Sequence, residues 1–527
     1  LLGSVFLAAE VKEACGLAAV SIPEKGKEFS KQDIVPLLRK MLLRQQHRGQ
    51  LSAGITTFDE ERPQIIETYK ELGNVSMVFR SHHPGKSKAI TEKYAGTKGI
   101  GHLRYATSGC NEKDDVQPFE RHHGRRWKWF SFAFNGNIAN FCGLKEKLKE
   151  SSYHLVRNVD TEVIMHFISK QMVGEKKKGV DYIFRNVSRV FDGAYSLVFL
   201  NADGTLAMAR DPIGFKPLCY AERDGLFAGA SESCALDSLA ENGIKDVRPG
   251  EIVIAENGGV EVKRFAKSGR TAHCMFEWVY FASPASVMEG RNVYDVRWNL
   301  GVQLAKQEKL ETNRHEYVVV SVPDTSKPAA DAYATELGLV SMEGLFRNRY
   351  VGRAFIEGGD RYDIAREKYS INKSVVRCKK IILVDDSVVR GTTSRALIDY
   401  IRRAGKPREI HLRVSCPPIT CPCFYGIDMS TLGELIAPRF MEKSEIVNRD
   451  LHEISGKVVE KIRREIGVDS LQYQSLQGLV KAIGMEGGSR KLCMGCLTGC
   501  YPTPWGEKLL KKAILEKGKN PCKRSYE

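Results

Sequence analysis

The stretch KKIILVDDSVVRGTT, residues 379–393, constrains the fold more than any other part of the chain. Four apolar residues run straight into two adjacent carboxylates, Asp385 and Asp386, and then into a loop of small and hydroxylated residues. A continuous apolar run of this length reads as a strand buried on both faces, which places it inside a parallel α/β sheet. Ligands of such sheets bind just beyond the carboxyl ends of the strands, where Asp385 and Asp386 fall. Two neighbouring carboxylates suit the vicinal hydroxyls of a ribose or the solvent shell of a divalent metal. The loop that follows offers backbone N–H groups, threonine hydroxyls and a helix N-terminus, the ingredients of a phosphate cradle. On spacing alone, a simple acidic turn capping the helix that starts near Thr393 stays open as the alternative.

At 527 residues the chain is too long for a single hydrophobic core, so two or three domains are expected. No apolar run approaches the roughly 18 residues of a membrane helix. The opening LLGSVFLAAEVKEAC lacks both an initiator Met and the basic n-region of a secretory signal. The formal net charge of +16 points to nucleic acid or to phosphorylated small molecules. The basic residues are scattered apart from Lys176, Lys177, Lys178 and a lysine-rich tail after Gly506, which read as solvated surface. Fourteen cysteines do not form the dense framework of a small secreted scaffold; most read as reduced thiols of a cytosolic protein.

The first half reads as short strands, Gly/Asn-rich turns and a few helices. GIGHLRYATSG (99–109) and WFSFAFNGNIAN (129–140) have the form of a strand followed by a turn. Helical spacing marks 161–172 and 180–191, and 195–211 reads as a hairpin closed by Asp203 and Gly204. From near residue 290, strand and helix patterns alternate. The strands are 316–323, 380–386 and 409–415, with a helical segment after each of the first two. Beyond about 440 the pattern is one of charged amphipathic helices followed by a loop holding CMGC.

ILVDDSVVRGTT resembles the phosphoribosyl-pyrophosphate loop of the type I phosphoribosyltransferases. The resemblance implies that Asp385 and Asp386 contact ribose hydroxyls or Mg²⁺. It implies too that Ser387, Val388, Val389, Arg390, Gly391, Thr392 and Thr393 hold the 5-phosphate. FRNRYVGRAFI (346–356) is similar to the flexible loop that closes over pyrophosphate in one branch, the amidophosphoribosyltransferases, and assigns Arg349, Tyr350 and Arg353 to shielding the reaction from water. SVPDTSKPAADAYA (321–334) is similar to that branch's metal- and pyrophosphate-binding stretch, with Thr325 where serine is usual.

A lone Cys15 would ordinarily be a small buried hydrophobe. QQHRGQLSAGI (45–55), GHLRYATSG (101–109), FNGNIAN (134–140) and VDTE (159–162) follow it in an order that resembles the glutaminase domain of the N-terminal-nucleophile amidotransferases. In that family the cysteine is the first residue of the mature chain. Its thiol attacks the glutamine amide, with its own α-amine as general base. A propeptide of residues 1–14 is therefore expected. Arg104 suits the glutamine α-carboxylate as a two-pronged donor, and Asp160 suits the α-ammonium. Asn135 and the Gly136 N–H suit an oxyanion hole. Leu51 and Phe134 depart from the acid and the histidine common at those positions.

Cys493 and Cys496 alone could be half a zinc site or a redox pair. The resemblance adds Cys274 and Cys423 and implies the four ligands of a [4Fe–4S] cluster, with zinc as the competitor for four thiolates. Cys421 and Cys500 read as bystanders.

The resemblance implies an α/β and α+β chain. A glutaminase αββα sandwich (15–265) would be followed by a type I phosphoribosyltransferase parallel-sheet domain (266–445) and a C-terminal helical segment carrying cluster cysteines (446–527). It implies amide-nitrogen transfer from glutamine, by way of internally channelled ammonia, to phosphoribosyl pyrophosphate at the entry to purine synthesis. Mg²⁺ and the cluster would be the cofactors, purine nucleotides the feedback inhibitors, a homo-oligomer the assembly and the cytoplasm the location, with no membrane or nucleic-acid partner. The alternative is a non-catalytic regulator that keeps the phosphoribosyl fold and binds nucleotides or nucleic acid.

Overall fold

The computed structural model describes residues 15–23, 28–104, 113–157, 159–240, 243–256, 258–348, 361–446 and 453–517. The expected propeptide and Arg349, Tyr350 and Arg353 of the expected loop lie outside these residues.

Two antiparallel sheets dominate the first half, one of seven strands and one of six. Side chains alternate across a strand with period two, and the sequence uses that alternation to build three apolar layers. Leu17 and Ala19 of strand Gly16–Ser21 meet Ala133, Val198 and Met208 from the other sheet, forming the layer between the sheets. Ala18 and Val20 face the opposite way, against Leu38, Met41 and Leu42 of helix Ile34–Arg44. On the far side Phe130, Phe132 and Phe134 of strand Phe130–Ile138 pack beneath helices Phe141–Glu150, Asp160–Gln171 and Val180–Val187. The result is helix, sheet, sheet, helix. The expected hairpin is present as Gly193–Asn201 paired with Leu206–Arg210.

In the second half, Tyr317–Ser321, Lys380–Asp385 and Glu409–Val414 pair in parallel, in that order. A fourth strand, Ser470–Tyr473, extends the sheet beside Glu409–Val414. The sequence reading took this region for helices. Ser470–Tyr473 is a four-residue edge strand with every residue only half-buried, so it lacks the apolar run that marks its neighbours. Leu304, Tyr333, Val319, Ile382 and Val384 fill one face of the sheet. Val318, Val320, Ile381, Leu383, Leu397 and Ile462 belong to the core on the other.

That second core continues into the first half, where it takes in Ala139, Ala194 and Phe215. At the seam Phe215 stacks on Tyr425 with ring centroids 4.2 Å apart, and Asn137 Nδ2 donates to the Phe424 carbonyl at 2.9 Å. Segment 423–426 therefore rests directly on the end of strand Phe130–Ile138. Gly426 permits the approach: its φ is +93°, and a Cβ there would stand 3.0 Å from the Gly136 carbonyl carbon.

Candidate functional sites in the two halves

Strand alternation delivers the first site. Cys15 precedes Gly16, whose register partner is Leu103, so the thiol residue lies at the strand end beside Arg104. Leu17 and Ala19 share the inner face with Cys15 by period, as Ile100 does with Arg104 and Ala133 with Asn135. Asp160 opens helix Asp160–Gln171, and the Ile138 backbone at the end of strand Phe130–Ile138 favours its ionised form. Arg104 and Asp160 both act electrostatically on Cys15. The structure thus brings Arg104 and Asp160 to Cys15, and strand alternation turns Asn135 to the same inner layer.

Burial raises the Cys15 thiol to about 11, although Arg104, Arg48 and Lys216 pull it down. A thiol in that state needs a base to attack at neutral pH. Asn135 is 1% exposed, and its Nδ2 has no hydrogen-bond partner in the structure. A buried amide donor left unmet costs roughly 1–3 kcal/mol, and an oxyanion in the cleft would satisfy it. Gly136 sits at φ +148°, and a Cβ there would fall 2.0 Å from the Ala194 carbonyl oxygen, so no side chain fits. Phe134 points the other way, into the helix-side core, and its N–H donates to Gln117 Oε1 at 2.8 Å. Leu51 is tied through its backbone N–H to the Arg104 carbonyl at 3.2 Å. Leu51 thus meets Arg104 through its backbone, and the Phe134 side chain faces away from the Asn135 side chain.

Burial also raises Asp160 to about 6. Since kcat/KM reports ionisations of the free enzyme, kcat/KM for an ammonium-bearing substrate is expected to fall about tenfold per pH unit below about pH 6. Asp160→Asn is expected to flatten that limb while raising KM. A pH series on glutamine hydrolysis with both proteins measures this. For stability the sign is opposite to that of a salt-bridged aspartate. The folded state holds this proton more tightly than the unfolded chain, so Asp160 costs stability as pH rises from about 4 to about 6.

The second site lies in a cleft at the carboxyl end of strand Lys380–Asp385, lined by Thr325, Asp385, Asp386, Ser387, Val389, Arg390, Gly391 and Thr393. Burial and mutual repulsion hold the Asp385 carboxyl well above the usual carboxylate range. Asp386 is raised by burial, while hydrogen bonds from Ser387 and Thr325 lower it. Ser387 Oγ donates to Asp386 Oδ1 at 2.6 Å, and Thr325 Oγ1 donates to Asp386 Oδ2. Such a pair is poised for a cation or for hydroxyl donors, and the oxygen donor set fits Mg²⁺.

Val388 and Val389 turn their side chains into the core; what they can offer a ligand is backbone. Gly391, at φ +76°, caps helix Thr392–Tyr400. Thr393 and Ser394 from the first turn of that helix line the cleft, whereas Thr392 does not; a helix start of this kind suits an anion. Arg390 lines the cleft, but its guanidinium is held by Glu434 (Nε to Oε2, 2.9 Å) and by the Asp428 carbonyl (2.9 Å). The cleft also holds Tyr280, Arg347 and Tyr369, to which the sequence reading gave no role. Tyr280 stands six residues after Cys274, in a segment read only for its cysteine. Tyr369 comes from strand Tyr369–Ile371, too short to signal itself.

Four thiols gather between the halves. His273–Cys274 and Leu492–Cys493 form a two-stranded parallel ladder that sets Cys274 beside Cys493. The Cys496 carbonyl accepts the N–H groups of Thr420 and Cys421 at 3.0 Å, which anchors the loop leading to Cys423. Cys423, Cys493 and Cys496 are buried, and all three act electrostatically on one another or on Cys274. Burial pushes the Cys274 thiol to about 11 and raises the other three. Among the described residues, no three His, Cys, Asp or Glu side chains close around one ion-sized point. Three buried thiols and the half-buried Cys274, brought from three segments, make a thiolate donor set of the kind an iron–sulfur cluster requires.

Residues 102–238 match the family model described as a glutamine amidotransferase domain. The amidophosphoribosyltransferase of Methanothermobacter thermautotrophicus is 42% identical over 94% of this chain and 96% of its own length. That of Bacillus subtilis is 35% identical over 97% of this chain and all of its own. A solved structure of glutamine phosphoribosylpyrophosphate amidotransferase from B. subtilis, complexed with ADP and GMP, superposes with a TM-score of 0.78 at 35% identity, covering 93% of this chain and 98% of that one. With nearly full-length similarity at these identities, the chain belongs to the amidophosphoribosyltransferase family.

Proposed function

We propose that this chain hydrolyses glutamine in its first half and uses the released ammonia in its second to displace pyrophosphate from phosphoribosyl pyrophosphate, giving 5-phosphoribosylamine for purine synthesis. The observation that carries the reading is the cleft beyond strand Lys380–Asp385, which gathers Thr325, Asp385, Asp386, Ser387 and Thr393, with the unmet buried donor Asn135 Nδ2 in the first half.

In the first half, the free α-amine of Cys15 takes the thiol proton, and the thiolate attacks the amide carbon. Asn135 Nδ2 and the Gly136 N–H receive the oxyanion. Arg104 holds the α-carboxylate and Asp160 the α-ammonium. With residues 1–14 removed so that the amine is free, its ammonium returns the proton to the departing nitrogen, ammonia leaves as the intermediate collapses to a thioester, and water then cleaves the thioester to glutamate and the free thiol. Ammonia is favoured over ammonium across the apolar seam of Phe215 and Tyr425, because an unpaired charge is costly there.

In the second half, Asp385 and Asp386 accept hydroxyl hydrogen bonds from the ribose, and the 387–393 loop holds its 5-phosphate. Thr325, Asp385 and Asp386 are the residues that would hold Mg²⁺, which neutralises charge on the leaving pyrophosphate when bound. Arg349, Tyr350 and Arg353 are proposed to exclude water. Cys274, Cys423, Cys493 and Cys496 would hold a [4Fe–4S] cluster that pins the two halves together. The B. subtilis relative was solved with ADP and GMP, which supports inhibition of this chain by purine nucleotides. Among the described residues no helix is long and apolar enough to cross a membrane.

Glutamine plus phosphoribosyl pyrophosphate and Mg²⁺ should yield glutamate and pyrophosphate in equal amounts. Glutamate formation without any attack on the pentose, even with added ammonia, would refute the reading. Protein purified without oxygen is expected to be brown and to carry about four irons per chain. A colourless preparation with one zinc would replace the cluster and leave the transferase reading standing.

A further inference from the structure

Cys15 lies one residue ahead of strand Gly16–Ser21, beyond the reach of that strand's ladder, yet a nucleophile must be held to within a fraction of an ångström. Arg48, with a side chain fully shielded from solvent, donates from Nε to the Cys15 carbonyl oxygen at 3.1 Å. Its Nη1 donates to Glu232, and its Nη2 meets both oxygens of Glu277 at 3.1 and 3.0 Å. The two carboxylates are themselves fixed. Glu232 accepts the Ser283 N–H and the Ser286 hydroxyl at 2.8 and 2.7 Å. Glu277 accepts the buried Lys216 ammonium at 3.2 Å. Arg48, Glu232 and Lys216 come from the first half, whereas Glu277, Ser283 and Ser286 come from the segment that begins three residues after Cys274.

Anchoring the Cys15 carbonyl restricts rotation about the adjoining Cα–C bond, and that Cα carries both the thiol and the α-amine. A guanidinium locked between two buried carboxylates has one orientation, because turning it would strand a charge in low dielectric. We infer that Arg48 is a positioning residue for the Cys15 nucleophile, and that Glu277 from the second half holds Arg48 in place. The inference rests on Cys15 as the nucleophile. It makes the alignment of the first site depend on how the second half is seated. Arg48 also lowers the thiol pKa through its charge, which aids the same step.

The test compares Arg48→Lys and Glu277→Gln with the unaltered protein in three measurements: glutamine-dependent turnover, ammonia-dependent turnover, and the pH dependence of Cys15 alkylation by iodoacetamide. Lysine keeps the charge but cannot reach the carbonyl and both carboxylates with a fixed fork. A misplacement of about 1 Å costs about 100-fold, so Arg48→Lys is expected to lower the glutamine kcat by about that factor, with KM and ammonia-dependent turnover changed less than about threefold. Glu277→Gln, of the same shape, is expected to lower the glutamine kcat about tenfold, a smaller misalignment of the same kind. In Arg48→Lys, where the charge that lowers the thiol pKa is less firmly placed, the alkylation profile should move to higher pH; in Glu277→Gln, which removes a nearby negative charge, it should not. Glutamine kcat within twofold of the unaltered protein in Arg48→Lys would overturn the inference, as would parallel loss of glutamine- and ammonia-dependent turnover in both variants. If the unaltered protein hydrolyses no glutamine, the proposed function falls on that result, and an unchanged alkylation profile in Arg48→Lys would separately overturn the positioning role.

Discussion

Cys15→Ala is expected to abolish glutamine-dependent pyrophosphate release, by about 10⁴-fold or more, while ammonia-dependent release stays within about twofold. The split follows from the distance in sequence and function between the two clefts. The nucleophile and its Arg104, Asp160 and Asn135 neighbours lie in the sandwich, whereas the acid pair lies at the end of strand Lys380–Asp385. Removing a thiol that burial keeps protonated, with a pKa of about 11, removes no charge from the resting protein, so the fold should be indifferent to the change. Parallel assays with glutamine and with ammonium chloride at pH 8, together with a melting curve, check both halves of the expectation. Survival of both activities would sink the glutaminase assignment, and loss of both would show that the halves do not act separately.

The complementary result is expected from Asp385→Asn combined with Asp386→Asn. Turnover of phosphoribosyl pyrophosphate should fall at least about 100-fold with either nitrogen source, because both routes end at the same pentose. Thermal stability should not fall and should rise slightly near neutral pH. The reason is the direction of the shifts: burial raises both carboxyls, and mutual repulsion raises Asp385 further. The folded state therefore binds these protons more tightly than the unfolded chain. The ionised pair costs stability that grows as pH climbs above the ordinary carboxylate range, and neutral asparagines remove that cost. Melting temperatures of the two proteins from pH 4 to pH 8 should converge at the acid end and separate toward pH 8. A variant that melts lower at pH 8 would mean that the pair stabilises the fold.

Both expectations concern residues that local chemistry made legible. Asp385 and Asp386 end a strand whose apolar run admits no other reading, and Gly136 and Gly391 stand where a Cβ would collide with Ala194 or Ile436. Cys15, Arg104, Asn135 and Asp160 were visible through the resemblance of the motifs that hold them; Arg104 ends its strand and Asp160 begins its helix, while Cys15 precedes a strand and Asn135 lies within one. Ser470–Tyr473 was not visible, because an edge strand of four half-buried residues carries too little pattern. Tyr280, Arg347 and Tyr369 reach the cleft only because separate segments fold over one strand end. The seam between the halves was equally silent. Arg48, Glu232, Lys216 and Glu277 are single charges spread over 230 positions, and no period or motif announces that they will share one buried cluster.

The amino-acid sequence by itself determined the two strand systems, the residues at their ends and the anion-holding loop, because those features follow from side-chain alternation and backbone sterics over a few neighbouring positions. Only the tertiary structure decided which distant charges meet, how Gly426 comes to lie on Gly136, and which donors are left unmet for a ligand. Those are outcomes of packing two cores into one, and buried electrostatics depends on three-dimensional distance and loss of water, neither of which is written locally along a chain.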